Sequence, residues 1–168
     1  TAMVCSGDAG IYGMAGLMYE IGEEYPEVAI EVIPGVTAAL GGSAVLGAAV
    51  GHDVSLISLS DLLTPWELIE ERLLCAAKAD FVICLYNPSS RKRSTYLAKA
   101  CEIMLEYKAE DTVCGIVKNI AREGETMQTL TLKELKETTV DMFSTVFIGN
   151  KQTKVIREKM VTPRGYRI

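Results

Sequence analysis

An α/β fold is what this 168-residue sequence predicts, and two observations predict it. Apolar runs of strand length alternate along the whole chain with segments whose apolar residues recur at helical spacing. Two glycine-marked loops, residues 6–13 (Ser-Gly-Asp-Ala-Gly-Ile-Tyr-Gly) and Pro34-Gly35-Val36-Thr37-Ala38, each join a strand-like run to a helix-like one. Strand, tight loop, helix is how α/β proteins bring main-chain N–H and C=O groups close to a small ligand. Two such loops at the ends of successive strands are expected to face one crevice.

Taken in order, Met3, Val4 and Cys5 read as a strand that feeds the first loop. A helix with Met14, Leu17, Met18 and Ile21 at helical spacing follows and ends before Pro26. Residues 28–33 read as a second strand, and residues 37–50 as an Ala- and Gly-rich helix capped by Thr37 and able to pack closely. A third strand covers 54–59, and Ser60-Asp61 marks a boundary. Thr64-Pro65-Trp66-Glu67 reads as a capping box with Pro at the first helical position. It opens a helix to about Ala79 with Trp66, Ile69, Leu73 and Ala76 or Ala77 on one face. The unbroken apolar run 81–86 is expected to be a buried central strand. After the loop 87–93 come a helix over 94–107 and strands over 112–118 and 126–130. Thr131-Leu132-Lys133-Glu134 reads as a second capping box, and 145–148 as the last core strand, closed by Gly149-Asn150.

Composition narrows the function. Apolar residues make up 49% of the chain, enough for a sizeable core. A net charge of −5 argues against a nucleic-acid partner, although Arg91, Lys92 and Arg93 cluster. Five cysteines without CxxC spacing read as buried, reduced thiols of a cytoplasmic protein. A single histidine, His52, leaves no HExxH motif, no Cys/His cluster and no triad, so no metal site is expected; His52 itself reads as a surface residue. The apolar run 38–51 is too diluted by Gly and Ser for a membrane span, and no secretory leader is visible. Gly7, Gly10 and Gly13 have GxxGxxG rather than GxGxxG spacing, and Pro34 rather than an acid follows Ile33, which disfavours dinucleotide binding.

The segments Ser6–Gly16, Pro34–Ala38, Leu85-Tyr86-Asn87-Pro88 with Ser90 and Arg93, Val117–Glu125 and Phe147–Asn150 together carry a resemblance. The chain resembles the tetrapyrrole methylases, S-adenosylmethionine-dependent enzymes of the cobalamin and sirohaem pathways. The Tyr-Asn-Pro and Arg-Glu-Gly-Glu segments resemble the subgroup that methylates C17 of precorrin-3B or cobalt-factor III with contraction of the ring. Sister methylases acting at C11 or C20, and a non-catalytic nucleotide-binding α/β module, stand as alternatives.

The resemblance implies a two-domain fold, each domain a mixed sheet flanked by helices, over residues 1–61 and 62–168. The family's opening strand and Gly-Pro-Gly loop have no counterpart, so the first domain is expected to be N-terminally incomplete, and Ala9 stands where the family has Pro. It further implies S-adenosylmethionine contacts from Gly7, Asp8, Gly10, Ile11, Thr37, Ala38, Tyr86, Asn119, Ile120 and Ser144. For the polycarboxylate tetrapyrrole it implies Tyr12, Asn87, Arg93, Lys118 and Arg122, with Tyr12 the one candidate for a catalytic role and no acid or base for ring contraction identified. Asp8 has an equal reading as an Asx-type turn residue. A homodimer is expected.

Overall fold

The computed structural model describes residues 1–166. A mixed five-stranded sheet organises them. Its strands are β2 (Val54–Ser58), β3 (Val82–Tyr86), β4 (Val113–Lys118), β5 (Thr126–Thr131) and β6 (Ser144–Ile148), in spatial order β2-β3-β6-β4-β5. β2 and β3 run parallel, and the other pairings are antiparallel. β3 and β6 carry almost unbroken buried side chains, as interior strands covered on both faces must.

One face of this sheet packs on α3 (Trp66–Lys78), α4 (Tyr96–Leu105) and α5 (Leu132–Lys136) through Ile69, Leu73, Leu97, Met104 and Leu135. The opposite face packs on α2 (Ala38–Leu46) around Phe147, Leu46 and Val117. α2 comes this close because Gly42 lacks a side chain: a Cβ there would lie 2.7 Å from the Phe147 ring. Met160 joins this second core from a small sheet of β1 (Gly47–Ala48), β7 (Lys154–Ile156) and β8 (Lys159–Val161).

At the start of β3, far from the strand end that bears Tyr86, the buried Lys108 ammonium donates to Asp80 Oδ1 (3.3 Å), Phe81 O (3.0 Å) and Gly149 O (2.9 Å). Burial pulls its pKa below the ordinary lysine value, against the opposing pull of Asp80. Cys84, Cys101 and Cys114 are buried, and burial pushes the Cys101 thiol up to about 12. No described helix is long and apolar enough to cross a membrane.

Several expectations need correction. Residues 3–5 and 28–33 form no strand, because a strand exists only with a hydrogen-bonded neighbour and the described residues supply none. The helix between them, α1 (Ala15–Gly22), does form, yet buries no residue. α2 stops at Leu46 rather than residue 50, where Gly47 at φ +131° turns the chain into β1. α3 has no capping box: Pro65, at ψ 143°, is itself the N-cap, and its carbonyl takes the Leu68 and Ile69 N–H groups. The Thr131–Glu134 box is present with both of its reciprocal bonds. Cys75 is exposed and Cys5 half-buried. β2, which lies before residue 61, pairs in parallel with β3 along its whole length.

Candidate functional site

The first loop is held by a carboxylate. Asp8 Oδ1 accepts the N–H groups of Gly10 (2.8 Å) and Ile11 (3.1 Å), the Asx-type arrangement that short acidic side chains favour in turns. Its other oxygen, Oδ2, accepts the Gly35 N–H at 2.9 Å and so ties the first loop to the second. The Gly35 bond, then that of Gly10, holds the Asp8 carboxyl below the usual carboxylate range. The two loops touch: a Cβ on Gly35 would sit 2.1 Å from the Gly7 carbonyl oxygen, so this position admits only glycine.

The second loop is pinned to the sheet by Tyr86, at the end of β3. The Tyr86 hydroxyl accepts the Ala39 N–H at 2.8 Å and lies 2.6 Å from Thr37 Oγ1. A phenol 47 residues away thus does the work expected of the N-cap side chain. Thr37 occupies the N-cap position of α2 but makes no capping bond, because its hydroxyl is turned toward Tyr86. Tyr12, at φ 52°, tilts its ring against that of Tyr86 with centroids 5.0 Å apart and donates to Leu56 O at 3.0 Å. Desolvation raises the pKa of both phenols, which disfavours their phenolate forms.

From the opposite side, β3 and β4 end in turns at positive φ: Asn87 (51°), Asn119 (54°) and Ala121 (56°). Left-handed backbone at an Ala is costly and persists where surrounding bonds enforce it. Here the Glu125 carboxylate accepts the Ala121 N–H at 2.7 Å, and Asn119 donates to Gly124 O at 3.3 Å. Asn87 donates to Ser58 Oγ at 3.0 Å. Arg122 then reaches back to the first loop, its Nη2 donating to Ser6 Oγ at 2.8 Å.

These turns enclose an open cavity of about 410 Å³ at the carboxyl ends of β3 and β4 and the start of β6. That is the size range of small-molecule sites, in the position where α/β sheets bind ligands. Of the residues expected to meet the methyl donor, Gly7, Ala38, Tyr86, Asn119, Ile120 and Ser144 line it. Asp8 and Thr37 stand behind the wall as supports, and Gly10 and Ile11 lie outside it.

Of the residues expected to meet the tetrapyrrole, Asn87 and Arg122 line the cavity. Tyr12 is exposed beside it. Arg93 is not a free cation: it binds Ser60 Oγ (2.7 Å), Asp61 Oδ1 (3.3 Å) and Ser90 Oγ (3.1 Å), with the second Asp61 oxygen accepting from Tyr96. Lys118 pairs with Asp141 at 2.6 Å and faces a separate depression beside Thr126, Gln128 and the 138–141 loop. Sequence reasoning missed Ser6, Val36, Gly41, Ala121, Met142, Phe143 and Thr145 in the wall. Ser6, Val36 and Ala121 lie inside the recognised segments and were within reach; Met142 and Phe143 carry no sequence signal beyond being apolar next to a strand.

A cavity walled by turns at strand ends, with a single cation on its rim, defines a small-molecule-binding α/β protein. Residues 1–136 match the family described as Tetrapyrrole (Corrin/Porphyrin) Methylases, and the chain belongs to that family. It is 48% identical over 166 residues to a probable cobalt-factor III C(17)-methyltransferase of Salmonella typhimurium, covering 98% of this chain and 69% of that one. It is 45% identical to a cobalt-factor III methyltransferase of Priestia megaterium, covering 98% of this chain but only 32% of that protein. Among solved structures, the methyltransferase CobJ superposes with a TM-score of 0.87 at 33% identity, over 95% of this chain and 68% of that one.

Proposed function

We propose that this chain is part of an S-adenosylmethionine-dependent methyltransferase of cobalamin biosynthesis that methylates C17 of cobalt-factor III, with contraction of the macrocycle. The observation that carries the reading is the convergence of both glycine loops, Tyr86 and the Asn119–Arg122 turn on one cavity, in a chain so similar to proteins named for that reaction. The names of the relatives favour C17 over the C11 and C20 alternatives and the cobalt-containing ring over the metal-free precorrin.

The wall fits the donor. Val36, Ile120, Met142 and Phe143 offer apolar surface for an adenosyl group, surrounding main chain offers hydrogen bonds, and Arg122 offers a cation for an acidic end. When bound, S-adenosylmethionine supplies an electrophilic methyl on a sulfur that departs neutral. The protein therefore needs no acid to expel a leaving group, and its task is alignment, worth about 7–11 kcal/mol in favourable cases. Asp8 fixes the first loop against the second, Tyr86 fixes the second against the sheet, and the strained turns at Asn87 and Asn119 close the far side. Tyr12, exposed beside the cavity, is placed to pack on the incoming ring. A homodimer belongs to the same reading, and sedimentation velocity tests it.

The decisive experiment titrates the protein with S-adenosylhomocysteine by calorimetry, then incubates it with the methyl donor and cobalt-factor III. Binding in the cavity and a singly methylated product with the new carbon at C17 by NMR are expected. Methylation at C11 or C20 would reassign the position. Binding of NAD in place of S-adenosylhomocysteine would replace the reading with a nucleotide-binding module.

A further inference from the structure

Arg122 is the one charged residue in the wall of the cavity. Among the described residues no carboxylate pairs with its guanidinium; its partner is the neutral Ser6 hydroxyl, 2.8 Å away and 116 residues distant in sequence. Glu125, three residues on, is turned to the Ala121 N–H at 2.7 Å. The turn that carries Arg122 is braced from within. Its own N–H donates to Asn119 O at 2.9 Å, its carbonyl accepts the Glu125 N–H at 3.2 Å, and the Asn119 amide closes on Gly124 O. Positive φ at Asn119, Ala121 and Gly124 sets that shape. The backbone of Arg122 is thereby fixed while its side chain spans the mouth of the cavity from the β4 side to the first loop.

A guanidinium matches a carboxylate with two parallel charge-assisted bonds, which are stronger than one bond to a hydroxyl. We propose that Arg122 is a carboxylate clasp: its guanidinium, held at the mouth of the cavity by the Ser6 hydroxyl, pairs with a carboxylate of the ligand. The inference rests on the methyltransferase reading. Two ligands of that reaction supply such a group, the amino-acid end of the donor and the side chains of the macrocycle, and the experiment separates them.

The test titrates wild type, R122Q and R122K with S-adenosylhomocysteine and with 5′-methylthioadenosine, which keeps the adenosyl sulfur but lacks the amino-acid end. R122Q is expected to weaken S-adenosylhomocysteine by about 10- to 100-fold, to leave 5′-methylthioadenosine unchanged, and to be partly rescued in R122K. Unchanged S-adenosylhomocysteine affinity with a similar rise in KM for the macrocycle assigns the clasp to the macrocycle's carboxylate instead. S6A, which keeps the guanidinium but removes the hydroxyl that steadies it, is expected to weaken S-adenosylhomocysteine by less than R122Q does; a loss greater than that of R122Q would overturn the clasp. Wild-type binding that R122Q leaves intact, with KM also unmoved, overturns the clasp alone. Wild-type protein that binds neither nucleoside removes the methyltransferase reading and the clasp with it.

Discussion

Among the described residues, 1–36 and 38–162 meet their neighbours in different ways. Not one of the first 36 is buried, although they include Leu17, Ile21, Val28 and Ile33, while the later region closes two cores around Phe147, Leu73 and Ile148. The first loop is nevertheless placed against the sheet by polar ties: Asp8 to Gly35, Tyr12 to Leu56 O, and Arg122 to Ser6. Among the described residues the first loop therefore meets the sheet through hydrogen bonds, and those contacts depend on protonation and on single atoms. The core-built region depends instead on volume.

The sharpest test of that contrast is Phe147→Ala. The ring is fully buried against Gly42, and its loss is expected to cost about 3–5 kcal/mol in urea unfolding. A cost near zero would mean that α2 is not packed on the sheet. Tyr86→Phe comes next, at about 1–3 kcal/mol, because it strands the Ala39 N–H at the start of α2. Thr37→Ala leaves that bond in place and should cost less. The reverse order would return the cap to Thr37.

Acid probes the polar ties directly. The Asp8 carboxyl is held below its ordinary 3.8 chiefly by the Gly35 N–H, so its contribution is complete above that value and is lost as pH falls through the lower, folded-state value. The protection of the Gly10, Ile11 and Gly35 amides against exchange, taken relative to the intrinsic rate at each pH and followed by NMR, should therefore fall below about pH 4 in wild type. In D8N that protection should be low at both acid and neutral pH, and a wild-type protection that does not change with pH would refute the tie. Smallest of all is Leu17→Ala on α1, 43% exposed, expected to shift stability by no more than about 0.5 kcal/mol in the same urea assay.

Much of this architecture was legible. The runs at 82–86 and 113–118 and the helix at 66–78 announce themselves by apolar content and period, and the two glycine loops do meet at one cavity. What stayed hidden has physical causes. Residues 28–33 have strand composition, but composition does not supply a ladder partner. The β7–β8 hairpin turns on Arg157 and Glu158 at φ 49° and 62°, with none of the Gly, Asn or Asp that marks such a turn, so nothing in the sequence flags it. Asp8 was recognised as important, but whether it serves ligand or loop depends on the Gly35 N–H, 27 residues away. Arg93 lay in a matched motif, and only the fold reveals that Asp61 and two serines already occupy it.

Lys108 carries a last consequence. Its ammonium spends all its N–H groups on one carboxylate and two carbonyls at the end of the sheet remote from Asn119. To fray that end, the molecule must rehydrate a dry cation and release both carbonyls in the same event, so partial opening there has no cheap intermediate. Amide protection is therefore expected to be graded along the strands, higher near Gly149 than near Asn119, as on a tuning fork clamped at its stem.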